Sequence, residues 1–198
     1  FDLADQYRMP AMILADGVLG QMMEPVVLPE EGEHKQIEKP WATTGTKMQR
    51  EHNIINSLYL QPDQLEKMVM DRFARYKKIE ECEARCEEMF TEDADLIITA
   101  YGATSRVVKS AIKSAREKGY KVGLIRPITL WPFPKAAYLK AANTAKAFLD
   151  VEMSMGQMID DVKLAVECKR PVYFLGRTGG MIPSPAQVLA EVEKILGG

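Results

Sequence analysis

From Asp95 to the C-terminus, the chain alternates between two hydrophobic patterns. Short apolar runs, "DLIITA" (95–100), "KVGLIR" (121–126), "KAFLDVE" (146–152) and "PVYFLG" (171–176), are each followed by a longer amphipathic stretch. The first pattern fits strands buried on both faces, and the second fits helices packed along one side. The helices are expected near 104–118, 134–144, 155–168 and 185–196. Gly119 suits a helix C-terminal cap. Ser184-Pro185 suits an N-cap followed by proline in the first turn, with Gln187 in capping-box register. Strands alternating with helices imply a mostly parallel sheet covered on both faces, a three-layer α/β/α sandwich. Right-handed crossovers give the strand order second, first, third, fourth.

The pattern upstream is different. From Pro62, Leu65, Val69, Phe73, Tyr76, Ile79, Cys86 and Met89 form an apolar stripe on one long helix, with Lys, Arg and Glu opposite. Before it, "EPVVLPEEGEHKQIEKPWATTG" carries Pro25, Pro29 and Pro40 among charges and reads as an extended connector. "NIINSLYL" has the look of a short strand. At the start, "FDLADQYR" suits the last turns of a helix, "AMILA" (11–15) a buried strand and "DGVLGQ" (16–21) a glycine-punctuated turn. One strand and half a helix cannot bury their own apolar faces. Residues 1–21 are therefore expected to end an α/β domain whose beginning lies elsewhere, with 22–90 the connector and long helix and 91–198 the strand–helix domain.

Composition narrows the function. The 198 residues are 46% hydrophobic and 27% charged, with a net charge of -2. This gives no field that attracts nucleic acid or an anionic membrane, and neither is expected as a partner. No apolar run has a membrane helix's length. Three cysteines, Cys82, Cys86 and Cys168, are too few for a disulfide framework and fit a reducing cytoplasm. Cys82 and Cys86, four apart, are expected on one helix face as small apolar side chains rather than metal ligands. His34 and His52 lie in the polar connector without a nucleophile or ligand pattern around them.

In an open parallel sheet, ligands bind beyond the strand C-terminal ends. That places Tyr101, Gly102, Thr104 and Ser105 after the first strand, Glu152 and Ser154 after the third, and Arg177 after the fourth as the cofactor-binding candidates. The single glycine of "YGATS" falls short of a dinucleotide fingerprint. The ordinary reading is a capped strand-to-helix turn, with the hydroxyl of Thr104 or Ser105 as the cap. Glu152 ends a buried strand, so it is either a functional acid or an acceptor of backbone N–H bonds. Arg177, in "GRTGG", could hold a phosphate or carboxylate, or pair across a subunit contact. No carboxylate has a visible acid–base partner, and no catalytic or metal-binding residue is assigned.

"DADLIITAYGATSRVVKSAI", "KVGLIRPITLWPFP", "FLDVEMSMGQMIDDVKLAV" and "VYFLGRTGGMIPSPAQV" resemble the alpha subunit of 2-oxoacid:ferredoxin oxidoreductases, closest to the 2-oxoisovalerate (3-methyl-2-oxobutanoate) branch. "FDLADQYRMPAMILADGVLGQMMEPV" resembles the end of that subunit's pyrimidine-binding domain, and "PWATTGTKMQREHNIINSLYL" its connector. The resemblance implies an enzyme that decarboxylates a 2-oxoacid on thiamine diphosphate, passes electrons through iron–sulfur clusters to ferredoxin, and forms an acyl-CoA. It makes residues 91–198 a transketolase C-terminal-like domain with one additional antiparallel edge strand, for which "NIINSLYL" is the candidate. It places the pyrimidine-activating carboxylate, the clusters and the diphosphate site outside this chain, which is then structural, interface-forming and inactive alone. The alternative is a stand-alone CoA- or phosphate-binding module.

Overall fold

The computed structural model describes residues 1–30, 32 and 37–197. His34 lies outside the described residues. The chain forms two compact units, Phe1–Leu14 with Met23–Ile79 and Ala15–Met22 with Glu80–Gly198.

The second unit carries a five-stranded sheet. Its strands are β1 (Cys86–Met89), β2 (Leu96–Thr99), β3 (Val122–Pro127), β4 (Ala147–Glu152) and β5 (Val172–Gly176). They lie in the order β1-β3-β2-β4-β5. β3, β2, β4 and β5 are parallel, and β1 runs antiparallel on β3 with Cys86 opposite Pro127 and Met89 opposite Leu124. The parallel order is the expected one. All four residues of β2 and all six of β4 are buried, as a central parallel strand requires.

Residue alternation divides the core between the two faces of the sheet. Leu96, Ile98, Leu149 and Val151 face helices α4 (Gly102–Glu117) and α7 (Pro185–Leu196), where Val108, Ala111, Ile112, Ala115, Val188 and Val192 complete one cluster. Ile97, Ile125 and Phe148 face α5 (Lys135–Ala142) and α6 (Met158–Ala165), with Tyr138, Ala141 and Val162. The α4 residues in contact recur at three- and four-residue steps, which is why this sequence is a helix with one buried side. Ser184 accepts from the Gln187 N–H at 3.2 Å, and Gln187 accepts from the Ser184 N–H at 3.0 Å, completing the capping box of α7.

Four expectations fail upstream of β2. The edge strand is "CEEM", not "NIINSLYL", whose residues form no strand. The long helix α3 runs from Pro62 to Glu83, so Cys86 and Met89 belong to β1 and Cys82 and Cys86 do not share a helix face. "AMILA" forms no strand, and Met12, Ile13 and Leu14 are exposed. "DGVLGQ" is not only a turn: Gly17–Gln21 is a short helix, α2, with Asp16 as its N-cap.

Within the first unit, helix α1 (Asp2–Tyr7) ends at Arg8 in a left-handed conformation. The Arg8 guanidinium lies 5.0 Å from the centre of the Trp41 ring, a cation–π contact. Asn53 donates to the carbonyls of Pro40 and Ala42, fastening the connector to itself.

Candidate functional site

The ends of β2 and β4 carry most of the predicted residues. Tyr101 is the N-cap of α4, but neither Thr104 nor Ser105 caps the helix. Both are buried, and the Ser105 hydroxyl donates to the Gly102 carbonyl at 2.7 Å. The cap comes from 87 residues upstream. The Ala103 N–H donates to Asp16 Oδ2 at 2.9 Å, while the Leu19 N–H donates to Asp16 Oδ1 at 2.8 Å. One carboxylate thus closes two helix N-termini. Burial opposes its charge, but bonds from the N–H groups of Ala103, Leu19 and Val18 outweigh this and hold its pKa below the ordinary value.

Gly102 is a glycine because of this contact. Its φ is +58°, and a Cβ there would lie 2.6 Å from Asp16 Oδ2. Only a residue without a side chain lets the carboxylate reach the helix end. The helix N-terminus that could hold a ligand's phosphate already holds an anion from the same chain.

On β4, Asp150 and Glu152 are two residues apart and share the sheet face of Phe148. Glu152 accepts from the Ser154 hydroxyl at 2.8 Å, the Gln157 N–H at 3.0 Å and the Ile159 N–H at 3.1 Å. Ser154 in turn accepts from the Gly156 N–H at 2.9 Å. Glu152 therefore orders its own loop. Burial disfavours its charge, but Asp150 and these donors prevail, and its pKa is lowered.

Asp150 is the opposite case. It is fully buried, and among the described residues its carboxyl group has no hydrogen-bond partner other than the neighbouring Glu152 carboxylate. Burial first and the neighbouring Glu152 second push its pKa up to about 9. The pair thus divides into one ionised and one protonated carboxyl, as two close acids in a dry site must. Beside it, Thr99 Oγ1 and the Tyr138 hydroxyl lie 2.5 Å apart, and burial raises the Tyr138 pKa. Tyr101 is raised as well, by burial and then by Glu152, Asp150 and Asp16.

Arg177 follows β5, and its backbone N–H donates to the Glu152 carbonyl at 3.0 Å. Thus one backbone contact joins Arg177 to Glu152, and Asp16 joins Gly102 to a segment the sequence did not connect with it. Sequence reasoning missed Asp16 and Asp150. The second had a visible signal, two acids at alternate positions of a buried strand.

This arrangement does not fit a diphosphate. The acids Glu152, Asp150 and Asp16 surround Tyr101 electrostatically, and the α4 N-terminus is filled. Among the described residues, no group of three His, Cys, Asp or Glu could hold a metal ion, and all three cysteines are free. No helix among them is long and apolar enough to cross a membrane.

Residues 94–188 match the family model "pyruvate:ferredoxin oxidoreductase core domain II". The ketoisovalerate oxidoreductase subunit VorB of Methanothermobacter marburgensis is 43% identical over 197 residues, covering 100% of this chain and 55% of that relative. The 2-oxoglutarate synthase subunit KorA of the same organism is 29% identical over 226 residues, covering 100% of this chain and 58% of that relative. The chain spans about half the length of these curated relatives. Among solved structures, a 2-oxoglutarate:ferredoxin oxidoreductase from Magnetococcus marinus shares the fold, with a TM-score of 0.58 at 23% identity, over 69% of this chain and 24% of that one. The sequence likeness runs along the whole chain, and the chain belongs to the 2-oxoacid:ferredoxin oxidoreductase subunits.

Proposed function

We propose that this chain is the structural and interface-forming part of an alpha subunit whose enzyme oxidatively decarboxylates a 2-oxoacid of the 2-oxoisovalerate type to an acyl-CoA. In that enzyme, thiamine diphosphate carries the decarboxylation, iron–sulfur clusters carry electrons to ferredoxin, and other subunits complete the site in the cytoplasm. Residues 91–198 serve as its transketolase C-terminal-like domain, 22–90 as the connector, and 1–21 as the end of a pyrimidine-binding domain.

The observation that carries the structural role is the Asp16 carboxylate on the α4 N-terminus. The position at the sheet's switch point where a phosphate would sit is taken by the protein itself. Tyr101, Gly102, Thr104, Ser105, Glu152 and Ser154 are accordingly architectural. Arg177 is the remaining candidate for a contact with a subunit or an anionic ligand.

The test is turnover of 2-oxoisovalerate by the purified chain with CoA, thiamine diphosphate and a viologen acceptor. No turnover is expected from the chain alone, and turnover is expected once the complete subunit set is present. Reduction of the viologen by the chain alone would overturn the reading. Calorimetric binding of CoA to the purified chain, lost on Arg177→Ala, would favour the stand-alone binding module instead.

A further inference from the structure

On the far side of the second unit, away from the strand ends, helix α4 and the edge strand β1 enclose a groove of about 590 Å³. It is lined by Met89, Phe90, Lys109, Lys113, Arg116 and Glu117. Its floor is apolar, and its wall carries cations at successive helical turns, since residues four apart on a helix share a face.

Phe90 is the unusual member. It is a bulky residue at φ +55°, in the left-handed region that side chains disfavour, and it is 53% exposed. The surroundings hold it there. Its carbonyl accepts from Arg116 Nη2 at 3.2 Å. The same carbonyl packs so closely on Gly123 that a Cβ at Gly123 would lie 2.6 Å from it. The Arg116 guanidinium stands 4.5 Å from the ring centre. Arg116 is itself fixed by the Asp93 carboxylate at 2.6 Å and the Val122 carbonyl at 2.8 Å. Arg116 and the close approach to Gly123 thus hold a large apolar residue partly in water. One face of the ring is covered by a cation, which draws π-electron density and improves the ring as a partner for an electron-rich plane.

The charges of the groove are unevenly matched. Lys109 is paired with Glu87 at 2.6 Å, and Arg116 with Asp93. Lys113 has no ion-pair partner among the described residues. Glu117, one turn further along, repels an anion and accepts from hydroxyl or amino groups.

We propose that this groove binds a planar organic anion of the mononucleotide kind. Its ring lies on Phe90, its phosphate sits at Lys113 with support from Lys109, and its hydroxyl or amino edge turns toward Glu117. Aromatic stacking and a single phosphate cation are together sufficient for modest affinity at an open site.

Titration calorimetry of the purified chain with adenosine monophosphate tests this, with inorganic phosphate as the comparator. Saturable one-to-one binding is expected, with a Kd of about 0.1–1 mM for so shallow a site, and none for phosphate alone. Phe90→Gly removes the ring while relieving the left-handed backbone, so it is expected to fold. Lys113→Glu changes only an exposed charge. Each is expected to weaken binding by about tenfold or more, with circular dichroism unchanged. Three results would each overturn the proposal: no saturable binding to the unaltered chain, equal binding of phosphate, or unchanged affinity in either variant.

Discussion

Replacing Asp150 by asparagine removes a carboxyl group that the fold keeps protonated. Its folded pKa is about 9 against an ordinary value of 3.8. Between these values the folded chain holds a proton that the unfolded chain releases, so stability falls as pH rises. The slope is about 1.4 kcal/mol per pH unit, which amounts to roughly 4 kcal/mol at pH 7. Asparagine has nearly the same shape and does not titrate. Its amide must be buried instead, which costs about 1–3 kcal/mol unless Glu152 accepts from it. A net gain of about 1–3 kcal/mol at neutral pH is expected for Asp150→Asn. Urea denaturation of both proteins from about pH 5 to pH 8 checks it. The two stability curves should nearly meet at the acid end and diverge steadily toward the alkaline end. Parallel curves, or a variant less stable at pH 8, would refute the reasoning, because Asp150 would then be ionised in the folded state.

Gly102→Ala places a Cβ 2.6 Å from Asp16 Oδ2 at φ +58°. A loss of about 1–3 kcal/mol is expected in urea denaturation, with the Ala15–Met22 segment losing amide protection first. Asp16→Asn keeps an acceptor but removes the charge, so hydrogen exchange over Ala15–Met22 should quicken while the β2 and β4 amides stay protected. In the unaltered chain the pKa of Asp16 is lowered, so its stabilising contribution is present above the ordinary 3.8 and lost as pH falls through the folded value. Protection of Ala15–Met22 should therefore be level at neutral pH and fail only on strong acidification, and loss already at pH 6 would contradict it.

The parallel sheet was legible because "DLIITA", "KVGLIR", "KAFLDVE" and "PVYFLG" are apolar on both faces, a pattern that leaves few alternatives. β1 was not legible. "CEEM" has no strand composition of its own and is a strand because Leu124 to Pro127 offer it an antiparallel edge. "NIINSLYL" and "AMILA" have strand composition but no partner strand, and composition without pairing makes no sheet. The same limit applies to the site. Glu152 stood out at a strand end, whereas Asp150 passed as one polar residue within an apolar run. Asp16 looked like a turn residue, since no local pattern reveals a contact with Ala103 87 positions away.

The two borders of the sheet are chemically unlike. β1 is four residues long, and its Glu87 is tied to Lys109 and Arg126 at 2.6 and 2.7 Å. Short length and fixed charge discourage another chain from lining up against that border. β5, five residues long, lacks the charge: "VYFLG" carries none, and its Tyr173 is 45% exposed. The sheet therefore has a direction for growth. Recruitment of a sixth strand, in ordered assembly or in the aggregation of a partly opened chain, is directed to β5, and a lysine placed in that strand would be the economical way to keep the protein dispersed.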